Sequence, residues 1–509
     1  MLNRSSRTRL LLFILVGAIG ISGNAWASSA QRVVTGPGAA GEEPAEKRLK
    51  EFLEVFNSGD AERIRKYAAE NFAKSFLTDI PIGEHVKIIS MGREQSGGFD
   101  LKRVVVRDPN TVEGLLQSRK GKDWAKIVLG VEAEPPHRIA NIGIMPSGPV
   151  MAEAPKGPLT DAQMVEQLKK YLDEASKAEQ FSGAVLLAKD SKPFFRAVYG
   201  LANRADNVSN RVDTKFNLGS MNKMFTAVAI AQLAEKKKLA FSDPISKYLT
   251  DWLPADIAQK ITIHHLLTHT SGLGSYFTDR FFKSSRELYR KVDDYKPLLA
   301  EEKLQFEPGS KWSYSNTGFL LLGAIIEKVT GQSYFDHIRE NIYKPAGMVN
   351  SDSFEMGDIV PNLAIGYTRR EGKWKNNLYM HVIKGGPAGG GYSTVEDLLA
   401  FANALTGHKL LSPESTKLVT TAKPESKSPE YGYGFGVNED LKAVGHSGGF
   451  PGISSNLLIF LDSGYTLAVM SNVDAGAVDV SELVKSMLRA RQPKPEPGDT
   501  FDQAVPPPK

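Results

Sequence analysis

Strand-forming sequence stands at both ends of the region 161–491, and a long helical stretch lies between. Near its start, "SGAVLLAK" (182–189) and "PFFRAVYG" (193–200) are joined through Asp190-Ser191-Lys192. Near its end come "KAVGHSGG" (442–449), "SSNLLIFL" (454–461) and "YTLAVMSN" (465–472), the last two linked by Asp462-Ser463-Gly464, a hairpin signal. From 220 to about 410 the apolar spacing is mainly helical. Strands so apolar must find partners, and the nearest available are those from the opposite terminus. The arrangement implies one antiparallel sheet assembled from both ends, with a helical lobe inserted and helices at 161–179 and 477–491 beside it.

The 509 residues exceed one ordinary core, so a second unit is expected. "AEKRLKEFLEVFN" (45–57) has helical spacing, and Asp60 can cap a second helix running to Phe72. Short strand-like runs follow: "HVKIIS", "DLKRVVVRD", "TVEGLLQSR", "WAKIVLGVEAE" and "RIANIGIM". Two helices and a strand meander make an accessory α+β unit over 43–148. Its "FLEVFNSGDAERIRKY" resembles the opening of nuclear-transport-factor-like cone domains. No convergent polar set marks this unit as a site. The Pro- and Gly-rich stretch 149–160 reads as the linker to the main domain, 161–491. The Pro-rich tail 492–509 reads as disordered. No internal repeat is found.

Residues 1–27 have a basic start (Arg4, Arg7, Arg9), the run "LLLFILVGAIGI" and then "AWA", an A-x-A pattern ending at Ala27. About a dozen apolar residues fall short of the roughly 20 that span a bilayer, so a cleaved Sec-type signal is expected, with an uncleaved anchor as the rival. A linker, 28–42, follows it. Secretion or a periplasmic location follows from that reading, with no integral span after cleavage. Without the leader the chain carries 60 basic against 58 acidic residues, which makes no electrostatic case for nucleic acid. There is no cysteine, so disulfides, thiol nucleophiles and thiolate metal sites are excluded.

"NLGSMNKMFTAVAIAQLAE" (217–235) places Ser220 and Lys223 one helical turn apart at the mouth of a segment apolar on all sides. A hydroxyl at a helix N-terminus meets unpaired N–H groups and the positive end of the dipole. A lysine held beside it in a partly dry place is disfavoured as an ammonium, and a neutral amine can accept a proton. "KWSYSNTGFLLLGAIIEKVTG" sets Tyr314 and Asn316 before another apolar helix: a phenol for proton shuttling and an amide for a substrate carbonyl, or a helix merely capped by Ser315 or Asn316. "VGHSGGFPG" puts His446 on a strand end followed by Gly448 and Gly449. It is either a simple turn or an edge on which a substrate backbone can lie.

Ser220-x-x-Lys223, Tyr314-Ser-Asn316 and His446-Ser-Gly448, in this order, resemble the three motifs of the penicillin-recognising serine hydrolases. These comprise serine β-lactamases, DD-peptidases, D-aminopeptidases and family VIII esterases, and Tyr-x-Asn resembles the class C-like branch. "TIHHLLTHTSGL", "FEPGSKWSYSNTGF" and "GGGYSTVEDLLAFANAL" are similar to segments of that branch, and the likeness covers roughly 170–490. The resemblance implies a β-lactamase-like fold of α+β/α/β type and an acyl-enzyme on Ser220. Lys223 and Tyr314 would share proton transfer, the base being either. His446 would complete the catalytic set, Asn316 would hold the acyl side chain, and the N–H groups of Ser220 and Gly449 would form the oxyanion hole, with Gly448 beside it. It implies no metal and no cofactor. The partner it implies is a small-molecule or peptide substrate, cell-wall-derived material included, and the oligomeric state is left open.

One departure bears on substrate. β-Lactamases of this kind usually have lysine where His446 stands, and a histidine titrating near neutrality grips a carboxylate weakly and pH-dependently. Peptidase or esterase therefore ranks above dedicated β-lactamase. The different-class alternative is a penicillin-binding-like sensor or wall-binding module with little turnover. His264, His265 and His269 invite a zinc reading but lack the Glu of H-E-x-x-H. "GGPAGGGYS" (385–393) lacks the strand-to-helix context of a nucleotide loop. Ser393 to Glu396 has the form of a capping box for a helix at 394–405, and "EKKK" (235–238) suits a solvated helix end.

Overall fold

The computed structural model describes residues 32–34 and 43–492, apart from 154, 156, 301, 371 and 429. The expected leader and nearly all of the first linker and the tail lie outside the described residues. Within that linker, however, Arg32–Val34 forms a strand, β1, paired antiparallel with Val104–Val106.

The N-terminal unit holds four helices where two were expected: α1 (Pro44–Ser58), α2 (Ala61–Asn71), α3 (Lys74–Asp79) and α4 (Ile82–Ser96). Asp60 caps α2, accepting from the N–H groups of Glu62 and Arg63. The run read as a strand, "HVKIIS", lies inside α4. Its buried residues, His85, Val86, Ile89 and Ser96, follow helical spacing, and six residues are too few to show that period. The punctuation was already present: Pro81 precedes the helix, and Gly97 ends it at φ 70°. The four remaining strand runs do form strands: β2 (Phe99–Asp108), β3 (Thr111–Ser118), β4 (Trp124–Val131) and β5 (Ile139–Pro146), paired in sequence order. Leu49, Phe52 and Phe56 of α1 pack on Val112, Leu116, Ile127 and Leu129.

The main sheet has the order β8-β9-β10-β11-β6-β7, with β6 (Gly183–Lys189), β7 (Lys192–Tyr199), β8 (Gly436–Asn438), β9 (Ala443–Phe450), β10 (Ile453–Phe460) and β11 (Tyr465–Ser471). Every pairing is antiparallel, and β11 on β6 joins the C-terminal strands to the N-terminal ones, as the termini-first pattern requires. The two-residue period sorts the faces. Val185, Leu187, Leu467 and Val469 meet α5 (Asp161–Lys177) and α9 (Gly476–Arg489). Ala184, Leu186, Ala468 and Met470 meet the lobe, whose buried axis is α6 (Asn222–Glu235), flanked by α7 (Asn316–Thr330) and α8 (Val395–Thr406). The lobe is less helical than expected. Residues 268–315 are mostly turns and single helical turns, and 367–376 form a hairpin. The cap of α8 is also one residue later than expected. Thr394 accepts from Asp397 N, while Glu396 pairs with Arg196.

The two units are joined by a buried ion pair. Lys126 Nζ on β4 lies 2.8 Å from Asp479 Oδ1 on α9, both side chains about 10% exposed. Gln180 donates to Asp479 Oδ2 (2.9 Å) and to Val150 O (2.9 Å), which ties down the connecting segment. Glu113 and Glu482 also bear on Lys126 and help hold its ammonium charged. Lys126→Met therefore leaves the buried Asp479 carboxylate without its cation. It should cost about 3–5 kcal/mol, more than Asp479→Asn, and Lys126→Met with Asp479→Leu should recover most of the loss. Urea midpoints of the three variants check this.

Candidate active site

Ser220 lies in a single 3-10 turn, Gly219–Met221, that runs directly into α6. Glycines make its placement possible. Gly219 has φ 52°, and a Cβ there would stand 2.9 Å from Gly448 Cα and from Gly449 N. A Cβ on Gly448 would stand 2.0 Å from Leu218 O. The turn is thus pressed backbone to backbone against β9. It is tied there by Ser455 Oγ donating to Leu218 O (2.7 Å), and by Gly390 N to Gly219 O (3.0 Å) and Leu218 N to Gly391 O (2.7 Å) from the other side. The glycine-rich loop 385–391, set aside in the sequence as a failed nucleotide motif, is the opposite wall of this slot.

Lys223 sits in the first turn of α6 and is fully buried. Its Nζ lies 2.6 Å from Ala388 O, 2.9 Å from Asn316 Oδ1 and 3.2 Å from Ser220 Oγ, and 4.7 Å above the Tyr314 ring. No carboxylate is among these neighbours, and burial drives its pKa well below the ordinary lysine value. A neutral amine has two N–H groups and one lone pair. Ala388 O and Asn316 Oδ1 are pure acceptors and take the two hydrogens. The lone pair is left facing the half-buried Ser220 hydroxyl. Such a group can draw a proton from that hydroxyl.

Tyr314 and Asn316 are delivered by the start of α7. Ser315 is its N-cap, accepting from Gly318 N (2.8 Å) and donating to Gly274 O (2.9 Å), so the capping role and the site role coexist on adjacent residues. Asn316 Nδ2 donates to Ser275 Oγ (3.2 Å). The Tyr314 phenol meets the Ser220 side chain, and burial raises its pKa above the usual tyrosine value.

His446 lies on the lobe-facing side of β9, its ring 6.4 Å from that of Tyr314. Its expected titration near neutrality is not what the surroundings allow: burial pushes its pKa down. The ring stays uncharged, so the expected pH-dependent grip on a carboxylate is corrected. The β9–β10 hairpin turns through Pro451 and Gly452, which makes Phe450 and Ile453 the flanking pair. By antiparallel alternation the N–H of Gly449 then points away from β10. On that side β8 covers only 443–445 of β9, so 446–450 are an open edge beside Ser220.

Ser220, Lys223, Tyr314, Asn316, His446, Gly448 and Gly449 therefore converge, although they come from three distant segments. Sequence reasoning missed Ser275, the Ala388 carbonyl and Tyr431, and gave His269 no role beyond a zinc reading that it set aside. His269 is buried at φ 61° with its ring 4.4 Å from Tyr314 and 4.7 Å from Tyr431, and its Nδ1 accepts from Ser315 N (3.1 Å). His264 instead meets Tyr433 and Ser426, and His265 accepts from Thr262 N. The His264 and His265 rings meet edge to face at 5.8 Å, apart from the neighbours of His269, and among the described residues no cluster of His, Asp or Glu could hold a metal. The only advance signal for Tyr431 was its place in "EYGYGF", just before β8.

Residues 166–492 match the model of the Beta-lactamase family. The chain belongs to that family. It is 30% identical over 348 residues to penicillin-binding protein 4* of Bacillus subtilis, covering 64% of this chain and 75% of the relative. A solved penicillin-binding protein of Bacillus halodurans is 34% identical, with TM-score 0.57, covering 63% of this chain and 98% of the other. A D-stereospecific amidohydrolase from Streptomyces sp. is 27% identical, with TM-score 0.53, covering 63% and 97%. The family match begins after the N-terminal unit. The main domain is thus a β-lactamase-fold serine hydrolase.

The glycine geometry makes a discriminating prediction. Gly448→Ala, whose Cβ would collide with Leu218 O, should lower the melting temperature and abolish activity by displacing the Ser220 turn. Gly449→Ala, with nothing within 4 Å of the new methyl, should melt like the wild type. Calorimetry of the two variants decides it.

Proposed function

We propose that the protein is an exported serine hydrolase that works through an acyl-enzyme on Ser220 and cleaves a small ester or a D-amino-acid peptide or amide. The observation that carries this reading is the commitment of both Lys223 hydrogens to Ala388 O and Asn316 Oδ1, which leaves its lone pair on Ser220. Lys223 is then the base for acylation, a choice that the sequence left open. The amine takes the Ser220 proton as Oγ attacks the carbonyl carbon. The N–H groups of Ser220 and Gly449 hold the developing oxyanion at the open edge of β9. Tyr314, protonated across the neutral range, returns a proton to the leaving group and is recharged from Lys223. Water repeats the sequence in deacylation, with Asn316 and Ser275 beside the acyl group.

The relatives named as penicillin-binding proteins and as a D-stereospecific amidohydrolase support an acyl-transfer site of this class. The neutral His446 supports ranking ester or peptide above β-lactam. The leader 1–27 supports export with cleavage after Ala27, which N-terminal sequencing of the mature protein tests. Among the described residues no helix is long and apolar enough to cross a membrane.

A fluorophosphonate probe should label the wild type and not Ser220→Ala. Absence of wild-type labelling would remove both the enzyme and the sensor readings, and steady-state ester turnover separates those two. Lys223→Met should lower kcat by about 10²–10⁴. In the wild type the acid limb of the kcat/KM profile should report a group far below the ordinary lysine range, because the working form is the free amine, present above its lowered pKa and lost as pH falls. A panel of D-alanyl peptides, D-amino-acid amides, short-chain esters and nitrocefin should show slow nitrocefin turnover, and equal rates on nitrocefin and nitrophenyl esters would overturn the ranking.

A further inference from the structure

His446 lies on β9 at the start of the open edge beside Ser220, and both of its ring nitrogens already have protein partners. Nδ1 lies 2.6 Å from Ser447 O. A carbonyl oxygen only accepts, so Nδ1 carries the hydrogen. Nε2 is therefore the acceptor, and the Tyr431 hydroxyl, 2.9 Å away, donates to it. Tyr431 is itself fixed, buried with its ring 4.7 Å from His269. One tautomer is enforced from both sides, and no nitrogen is left to meet a ligand.

The other cation-forming groups at the site are committed or buried. Lys223 gives its hydrogens to Ala388 O and Asn316 Oδ1. His269 accepts at Nδ1 from Ser315 N, and its Nε2 is fully buried without a hydrogen-bond partner. The titratable groups facing His446 are Tyr431, Tyr314, His269 and Lys223, with no carboxylate among them to draw a proton onto the ring. Beyond Gly449 the edge continues into Phe450, whose ring lies 5.7 Å from Phe277 of the lobe, so that flank is apolar. The cation next along that aromatic wall, Arg286, stacks on Phe281 at 4.3 Å and donates to the carbonyls of Phe281 (2.7 Å) and Ser284 (3.1 Å).

We propose that Tyr431 is a positioning residue which, with Ser447 O, seals His446, and that the site consequently takes esters or amides uncharged around the scissile bond and discriminates against a carboxylate there. The inference rests on the acyl-transfer reading above. A carboxylate placed beside His446 meets a ring with no free N–H and loses its water without replacement. A neutral group loses little.

The test uses the full chain and two aryl acetates, m-carboxyphenyl and m-(methoxycarbonyl)phenyl, each normalised to its rate of hydroxide hydrolysis. The neutral ester should have a kcat/KM higher by about tenfold or more, and the ratio should stay flat from about pH 5 to 8. In Tyr431→Phe the ratio should fall, since Nε2 loses its donor and can take a proton against the bound carboxylate; a merely structural role would slow both esters alike. Histidine-selective ¹⁵N NMR gives a readout independent of turnover. The His446 signal, assigned by its loss in His446→Gln, should show the Nδ1-H form without titration in the wild type, and in Tyr431→Phe the Nε2 resonance should move to that of an acceptor without its donor. A carboxylate ester hydrolysed as fast as the neutral one, or a wild-type His446 that titrates near neutrality, overturns the inference while leaving the acyl-enzyme intact. Ester hydrolysis that persists in Ser220→Ala would instead remove the reading on which it rests.

Discussion

A fully buried lysine without a carboxylate is the condition to which the rest of this site answers. Dehydrating an ammonium costs far more than a hydrogen bond returns, so the side chain is tolerable there only as an amine with its hydrogens placed. Two acceptors from different parts of the chain place them: the Ala388 carbonyl from the glycine-rich loop and the Asn316 amide from the head of α7. Those elements must sit where they do for Lys223 to remain buried. The remaining direction of the nitrogen is then fixed on Ser220. Reactivity is a by-product of solving a desolvation problem in one orientation.

A second shell of aromatic rings keeps that solution rigid. His269, in a left-handed backbone conformation, lies between Tyr314 and Tyr431, and Tyr431 reaches His446. The shell is uncharged throughout. It therefore preserves a low local dielectric around the amine, which in turn keeps the amine neutral. Packing and protonation state support each other here.

Much of this was legible in the letters because it is expressed through periodicity and order. Strand runs at 182–200 and 442–472 dictated a sheet closed from both termini, and the three motif segments announced the residues that converge. What escaped was local or three-dimensional. "HVKIIS" looked like a strand because six residues cannot show a 3.6-residue period, although Pro81 and Gly97 bracketed the helix. The cap of α8 moved by one because Ser393 and Thr394 both suit it, and Ser393 is taken up by strand pairing with Phe216 and by its hydroxyl's bond with Ser351. His446 could not be assigned a titration from its neighbours in sequence, since the burial that lowers its pKa is set by folding. Ala388 contributes only a backbone carbonyl, which no side-chain motif can advertise.

The close approach of Gly219, Gly448 and Gly389 has a consequence for how such a site can diversify. Where backbone rests directly on backbone there is no side chain to exchange, and the nucleophile's cradle has no adjustable parts. Variation in what is accepted must then come from the lobe, whose irregular stretch between 268 and 315 carries Tyr276, Phe277 and Phe281 on loops and single turns. One wall of the cleft is cast and the other is movable type, so a lineage can rewrite its diet without touching its chemistry.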